Sequence, residues 1–209
     1  MNAFLNTPFR AALRSDPWLA TAPVREELFG IERLEQHAQS LAAAQTVSAR
    51  PPRVLSLQRR LKDNAQVLLV AYRASAAAVA DGIAVVPAAQ WLLDNYPLVE
   101  EHVRGVREDL PAGYYRQLPK LANGPFAGYP RVFGLAWAFV AHTDSFFDPA
   151  TLQRFIDAYQ KVQPLTIGEL WAVAITLRIV LIENLRRLTD QITAADLARL
   201  DAEALADRL

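Results

Sequence analysis

Four groups of side chains in this sequence are of types that can do chemistry. Asp94, Asn95 and Tyr96 stand near Glu100, Glu101 and His102. Tyr114, Tyr115 and Arg116 precede Pro119 and Lys120. Tyr129, Pro130 and Arg131 lead to His142, Thr143, Asp144 and Ser145. Glu169, Arg178, Glu183 and Asn184 share one apolar stretch. Adjacent carboxylates such as Glu100 and Glu101 could form an acid–base couple. On a helix, however, neighbours point about 100° apart and cannot face one substrate together, so a solvated or ion-paired face is expected. Residues 142–145 contain the residue types of a hydrolase triad, but a triad is a spatial arrangement that adjacency does not supply. A helix C-terminus is the simpler reading, with His142 near the last carbonyls and Asp144 and Ser145 turning the chain. No residue is assigned a catalytic role.

Tyrosine rings beside Arg and Lys donors suit sugars or phosphates, and equally a protein contact. Tyr114, Tyr115, Arg116, Lys120 and Arg131 are therefore the candidate ligand-binding set. Arg131 opens a helix, where the dipole disfavours a cation, so a partner carboxylate is expected. Asp94, Glu100, His142, Asp144, Glu169, Arg178, Glu183 and Asn184 form the candidate structural polar network, of a kind that specifies a fold more than it stabilises it.

Composition narrows the functions. The 209 residues carry 22 Lys plus Arg against 22 Asp plus Glu, a net charge of zero, which argues against a nucleic-acid footprint. Without cysteine there is no disulfide, thiol nucleophile or Cys-ligated metal. His37, His102 and His142 lack metal-ligand spacing, and no cofactor is implied. Arg10, Arg14 and the Ala20-Thr21-Ala22 triplet mimic parts of a signal peptide, but no apolar run separates them, so a cytoplasmic location is the expectation.

The positioning elements read as helices. Residues 1–22 lack a period and are expected to be an extended N-terminal arm, either packed through Phe4, Phe9 and Trp18 or loose. Residues 23–209 are expected to form a single helical domain. Pro23 should open a helix to about Gln45, and a second should run from Val54 to Ala80 and end at Asp81-Gly82. Pro97 should break or kink the next helix, Pro87 to Leu110. A short helix is expected near Tyr114, a buried one from Arg131 to His142, and one capped by Asp148-Pro149. Thr193 should cap a last helix. The organising stretch runs from Thr166 to Leu188. Thr166 and Glu169 form a capping box. Behind them Glu169, Thr176, Glu183 and Arg187 make one narrow stripe on a helix otherwise apolar, which is expected to be buried at the centre. Glu169 and Arg178 within its apolar run argue against a membrane span. Arg178 lies opposite the Glu stripe, level with Trp171, on a face expected to be packed. A carboxylate should meet it, with Asp94 the first choice before Glu100, Glu101 or Asp144. The whole reads as an all-α, bundle-like domain of seven or eight helices around the 166–188 helix.

The blocks DNY at 94–96, YYRQLPKL at 114–121, GYPRV at 128–132, AHTDS at 141–145, and TIGELW with ENLRRL at 166–171 and 183–188 resemble the N-terminal region of the bacterial cyclic β-1,2-glucan synthases. The resemblance is strongest over 91–188 and weak over the first 90 residues. It implies a parent inner-membrane protein with a membrane-embedded, UDP-glucose-dependent glycosyltransferase and a domain similar to glycoside phosphorylases. The 209 residues contain neither the Asp-x-Asp nor the Gln-x-x-Arg-Trp motif of such a transferase, so no catalytic residue carries over. The implied role is a cytoplasmic accessory or scaffold domain at the inner-membrane face, with the glycosyltransferase part as partner. The alternatives are a module binding glucan or UDP-glucose, and a stand-alone glycan-active enzyme.

Overall fold

The structure is a computed structural model and describes residues 22–206. The expected arm therefore lies almost wholly outside the described residues. The described chain is all-α apart from one two-residue ladder. Its helices are α1 (Ile31–Ala44), α2 (Leu57–Ala80), α3 (Pro87–Asp109), α4 (Ala112–Gln117), α5 (Arg131–His142), α6 (Pro149–Gln160) and α7 (Ile167–Ala206). The strands β1 (Val47–Ser48) and β2 (Lys120–Leu121) pair antiparallel, Val47 opposite Leu121.

Helix α5 is the most enclosed element, with every residue except Trp137 buried. α7 packs along it and also against α2 and α3, while α1 pairs with α6. The core is one contiguous cluster that includes Leu34, Leu57, Leu61, Phe133, Phe139, Phe155 and Ile179. Each fully buried side chain of this kind contributes about 1.5–3 kcal/mol. Gly134 lets the α1–β1 junction approach α5, because a Cβ there would lie 2.9 Å from Gln45 Nε2. Gly128 combines a φ of +87° with a Cβ position 2.5 Å from the Pro52 carbonyl, so only glycine fits the loop that returns to Arg131.

Local chemistry sets the helix starts. Ser56 accepts from the Arg59 N–H, Asp148 accepts from Thr151, and Thr166 and Glu169 exchange both bonds of the capping box. Three boundaries differ from the sequence expectation. Residues 23–30 are not helical, because their backbone is bonded to tertiary partners: Val24 N–H to Asn184 Oδ1, Glu26 N–H to the Ala141 carbonyl and Phe29 N–H to the His142 carbonyl. Pro97 does not break α3. It removes one backbone donor from an exposed position, while Leu92, Val99, Val103 and Val106 bury a continuous stripe that holds the helix through the defect. Thr193 is no cap, since its hydroxyl donates back to the Thr189 carbonyl within an unbroken α7.

Candidate functional site

Of the chemistry-bearing residues, Arg131, Glu169, Glu183 and Asn184 meet along the buried face of α7. Glu169, Thr176 and Glu183 are wholly buried and Arg187 nearly so. Ile167 and Trp171, by contrast, are each 76% exposed. The helix therefore turns its polar stripe inward, as an interior network requires, and its Trp171 line outward, where the sequence expectation had that line packed. Isolated buried charges are prohibitive, so this orientation requires partners from other helices.

At the N-terminal end, Glu169 meets Arg131 of α5 through two bonds, from Arg131 Nε at 2.8 Å and Nη2 at 2.6 Å. The same guanidinium reaches the Pro164 carbonyl at 3.2 Å and lies 6.0 Å from the Tyr159 ring centroid. Burial works against the charge on Arg131, but the Glu169 carboxylate outweighs it and holds the guanidinium pKa above its ordinary value. Tyr159 donates to Gln45 Oε1 at 2.7 Å, and its burial pushes the phenol up to about 12.

About four turns further along the helix, Glu183 is the hub of a larger cluster. Arg60 of α2 binds both its oxygens at 3.0 Å, Asn64 donates at 2.6 Å, and Arg186 and Arg187 each donate at 2.9 Å. Burial alone would raise this carboxyl. The hydrogen bonds from Arg60 and Arg187 and the Arg60 charge win, and bring it down to about 2. Asp190 balances Arg186 at 2.5 Å.

A third set straps residues 22–29 to the ends of α5 and α7. Arg187 Nη1 donates to the Ala22 carbonyl at 2.9 Å, and Asn184 accepts from Val24 N–H at 2.6 Å while donating to Ser145 at 2.8 Å. His142 Nδ1 lies 2.7 Å from the Glu27 carbonyl, and Arg25 pairs with Asp144 at 3.2 Å. Asp144 and Ser145 adopt left-handed φ values of 52° and 63° as the chain leaves α5, a turn for which Asp is well suited. His37, distant in sequence, packs its ring 4.5 Å from that of His142, and burial followed by the His142 charge depresses its pKa. Among the described residues no group of three or more potential metal ligands occurs, and no helix is long and apolar enough to cross a membrane.

The five candidate ligand residues do not line one surface. Tyr115 and Arg131 are buried, and Arg131 is committed to Glu169. Tyr114 donates to the Gly168 carbonyl. Lys120 donates to the Tyr115 and Leu118 carbonyls at 2.9 and 3.2 Å, closing the end of α4, and Arg116 is left exposed. Arg178 does not meet Asp94. It pairs with Asp109 of α3 at 3.1 Å, partly exposed, while Asp94 accepts from Gln90 at 2.8 Å. Glu100 is exposed and outside the buried network.

Sequence reading missed Arg60 and Asn64. A signal was present: Leu57, Leu61, Asn64 and Leu68 form one helical stripe, and a polar residue inside such a stripe asks for a buried partner. It also missed three cations that share a groove between α2 and α3, Lys62, Arg104 and Arg107.

No family model matches the chain. Cyclic beta-(1,2)-glucan synthase NdvB of Rhizobium meliloti (strain 1021) is 39% identical over 186 residues, which cover 89% of this chain and 6% of the synthase. A match of 186 residues is longer than residues 91–209 can supply, so the likeness reaches well into the first 90 residues, where the blocks alone gave little. The chain thus spans about 6% of the length of this relative, and it is similar to one segment of a cyclic beta-(1,2)-glucan synthase.

Proposed function

We propose that this chain is an accessory helical domain of the β-1,2-glucan synthesis machinery, with no catalysis of its own. It acts with the glycosyltransferase part of a synthase, in the same chain or in a complex, at the cytoplasmic face of the inner membrane. The observation that carries this reading is how the interior charges are used. Glu169, Glu183, Arg131 and Arg187 all bond to one another or to neighbouring helices, which suits a scaffold and leaves these groups no free acid, base or nucleophile. The similarity to a segment of a glucan synthase supports the setting.

Two measurements test it. The purified chain, incubated with UDP-glucose or with β-1,2-glucan, should neither transfer glucose nor cleave the polymer. Turnover that survives repurification overturns the non-catalytic reading. A tagged chain should retain the glycosyltransferase portion of a cyclic glucan synthase in detergent extracts, and failure to do so at micromolar concentration overturns the partnership.

A further inference from the structure

We propose that the groove between α2 and α3 is a binding site for a small anion carrying adjacent phosphate groups. The groove encloses about 410 Å³ and is lined by Lys62 and Gln66 from α2 and by Tyr96, Glu100, Arg104 and Arg107 from α3. Arg104 and Arg107 are one turn apart on the same face of α3, and Lys62 stands across the groove from them. Among the described residues, none of these three cations makes a hydrogen bond or an ion pair, although Arg59, Arg60 and Arg178 nearby are all paired. Glu100 precedes Arg104 by four residues, the spacing and order that favour a pair, yet no pair forms. Tyr96, whose pKa is raised by burial and then by the Glu100 charge, stacks on Tyr72 at 4.3 Å. The groove thus has a cationic end and an aromatic end. Two guanidiniums offer forked donors to phosphate oxygens, and the Lys62 ammonium supplies a point charge across from them.

The concave shape selects the ligand. A lipid surface needs a projecting basic face, and here Glu100, Glu101 and Glu108 of the same helix are exposed around the cations and would repel an anionic bilayer. A nucleic acid needs a basic excess that this chain, at net charge zero, does not have. Of those carboxylates only Glu100 lines the groove, where Lys62, Arg104 and Arg107 outnumber it, so a compact di- or triphosphate meets a net positive lining. The proposal is independent of the accessory role, and each can fail alone.

Calorimetric titration of the full 209-residue chain with inorganic pyrophosphate and tripolyphosphate at low salt tests it. Submillimolar binding is expected, weakening as salt is raised. The triple variant Lys62→Gln, Arg104→Gln, Arg107→Gln should lose at least tenfold in affinity with an unchanged melting curve. The equally charged control Arg50→Gln, Arg53→Gln, Arg116→Gln should lose less than threefold. No binding at millimolar anion, or equal losses in the two triples, overturns the site. Binding to phosphatidylglycerol vesicles that the groove triple abolishes would overturn the small-anion assignment in favour of a lipid surface.

Discussion

Replacing Glu183 by Gln keeps the side-chain volume and removes the charge at the centre of the α2–α7 cluster. Glu183 is wholly buried, and its carboxyl titrates at about 2 against an ordinary value of 4.5. A tenfold change in acidity corresponds to about 1.4 kcal/mol, so the ionised carboxylate contributes on the order of 3 kcal/mol to folding at neutral pH. Because the folded value is depressed, that contribution is present in full above pH 4.5 and disappears as the pH falls through about 2. The Gln variant leaves Arg60 and Arg187 facing a neutral amide and should lose about 3–5 kcal/mol at pH 7. Urea unfolding of both proteins at pH 7, 5, 4 and 3 measures the effect. Glu35 and Asp148 also titrate below their ordinary values, so the informative quantity is the difference between the two proteins. The stability gap should narrow steadily below pH 4.5. A gap that stays constant down to pH 3 would refute the ion-pair account of Glu183.

Three further outcomes are expected. Arg131→Ala leaves the Glu169 carboxylate buried and unpaired, and should cost about 3–5 kcal/mol in chemical denaturation, with Arg131→Met combined with Glu169→Gln costing less than the single change. Arg178→Ala breaks a partly exposed pair with Asp109 and should cost less than about 1 kcal/mol, so a loss of 3 kcal/mol would restore the buried reading of Arg178. Gly128→Ala forces a side chain into a left-handed backbone against the Pro52 carbonyl, and should lower stability by about 1–3 kcal/mol or more, read as a lower melting temperature.

What the sequence made legible was local. Thr166 and Glu169 announce their capping box three residues apart, and Asp148-Pro149 announces α6. The need of Arg131 for a carboxylate was also readable, because it follows from one residue and one helix end. The orientation of α7 was not. A helix apolar on most of its surface has almost no direction of its own, so its orientation is set by which stripe finds partners. Those partners are remote: Arg60 reaches Glu183 across 123 residues of sequence, and Arg131 reaches Glu169 across 38. Residues 23–30 failed for the same reason. Val24 and Leu28 have helical spacing, yet the backbone there is bonded to Asn184, Ala141 and His142. The groove cations Lys62, Arg104 and Arg107 carry no motif and become visible only when α2 and α3 are laid side by side.

The central claim is that α7 buries its charged stripe and exposes its Trp171 line. The chain has no cysteine, so single substitutions place one reporter thiol each on the two faces. Reaction with a thiol reagent under native conditions should proceed at the free-thiol rate for Trp171→Cys, whose parent is 76% exposed, and be slowed by roughly 100-fold or more for Thr176→Cys on the wholly buried line. A Thr176→Cys thiol that reacts freely while the Trp171→Cys thiol is protected would contradict the account.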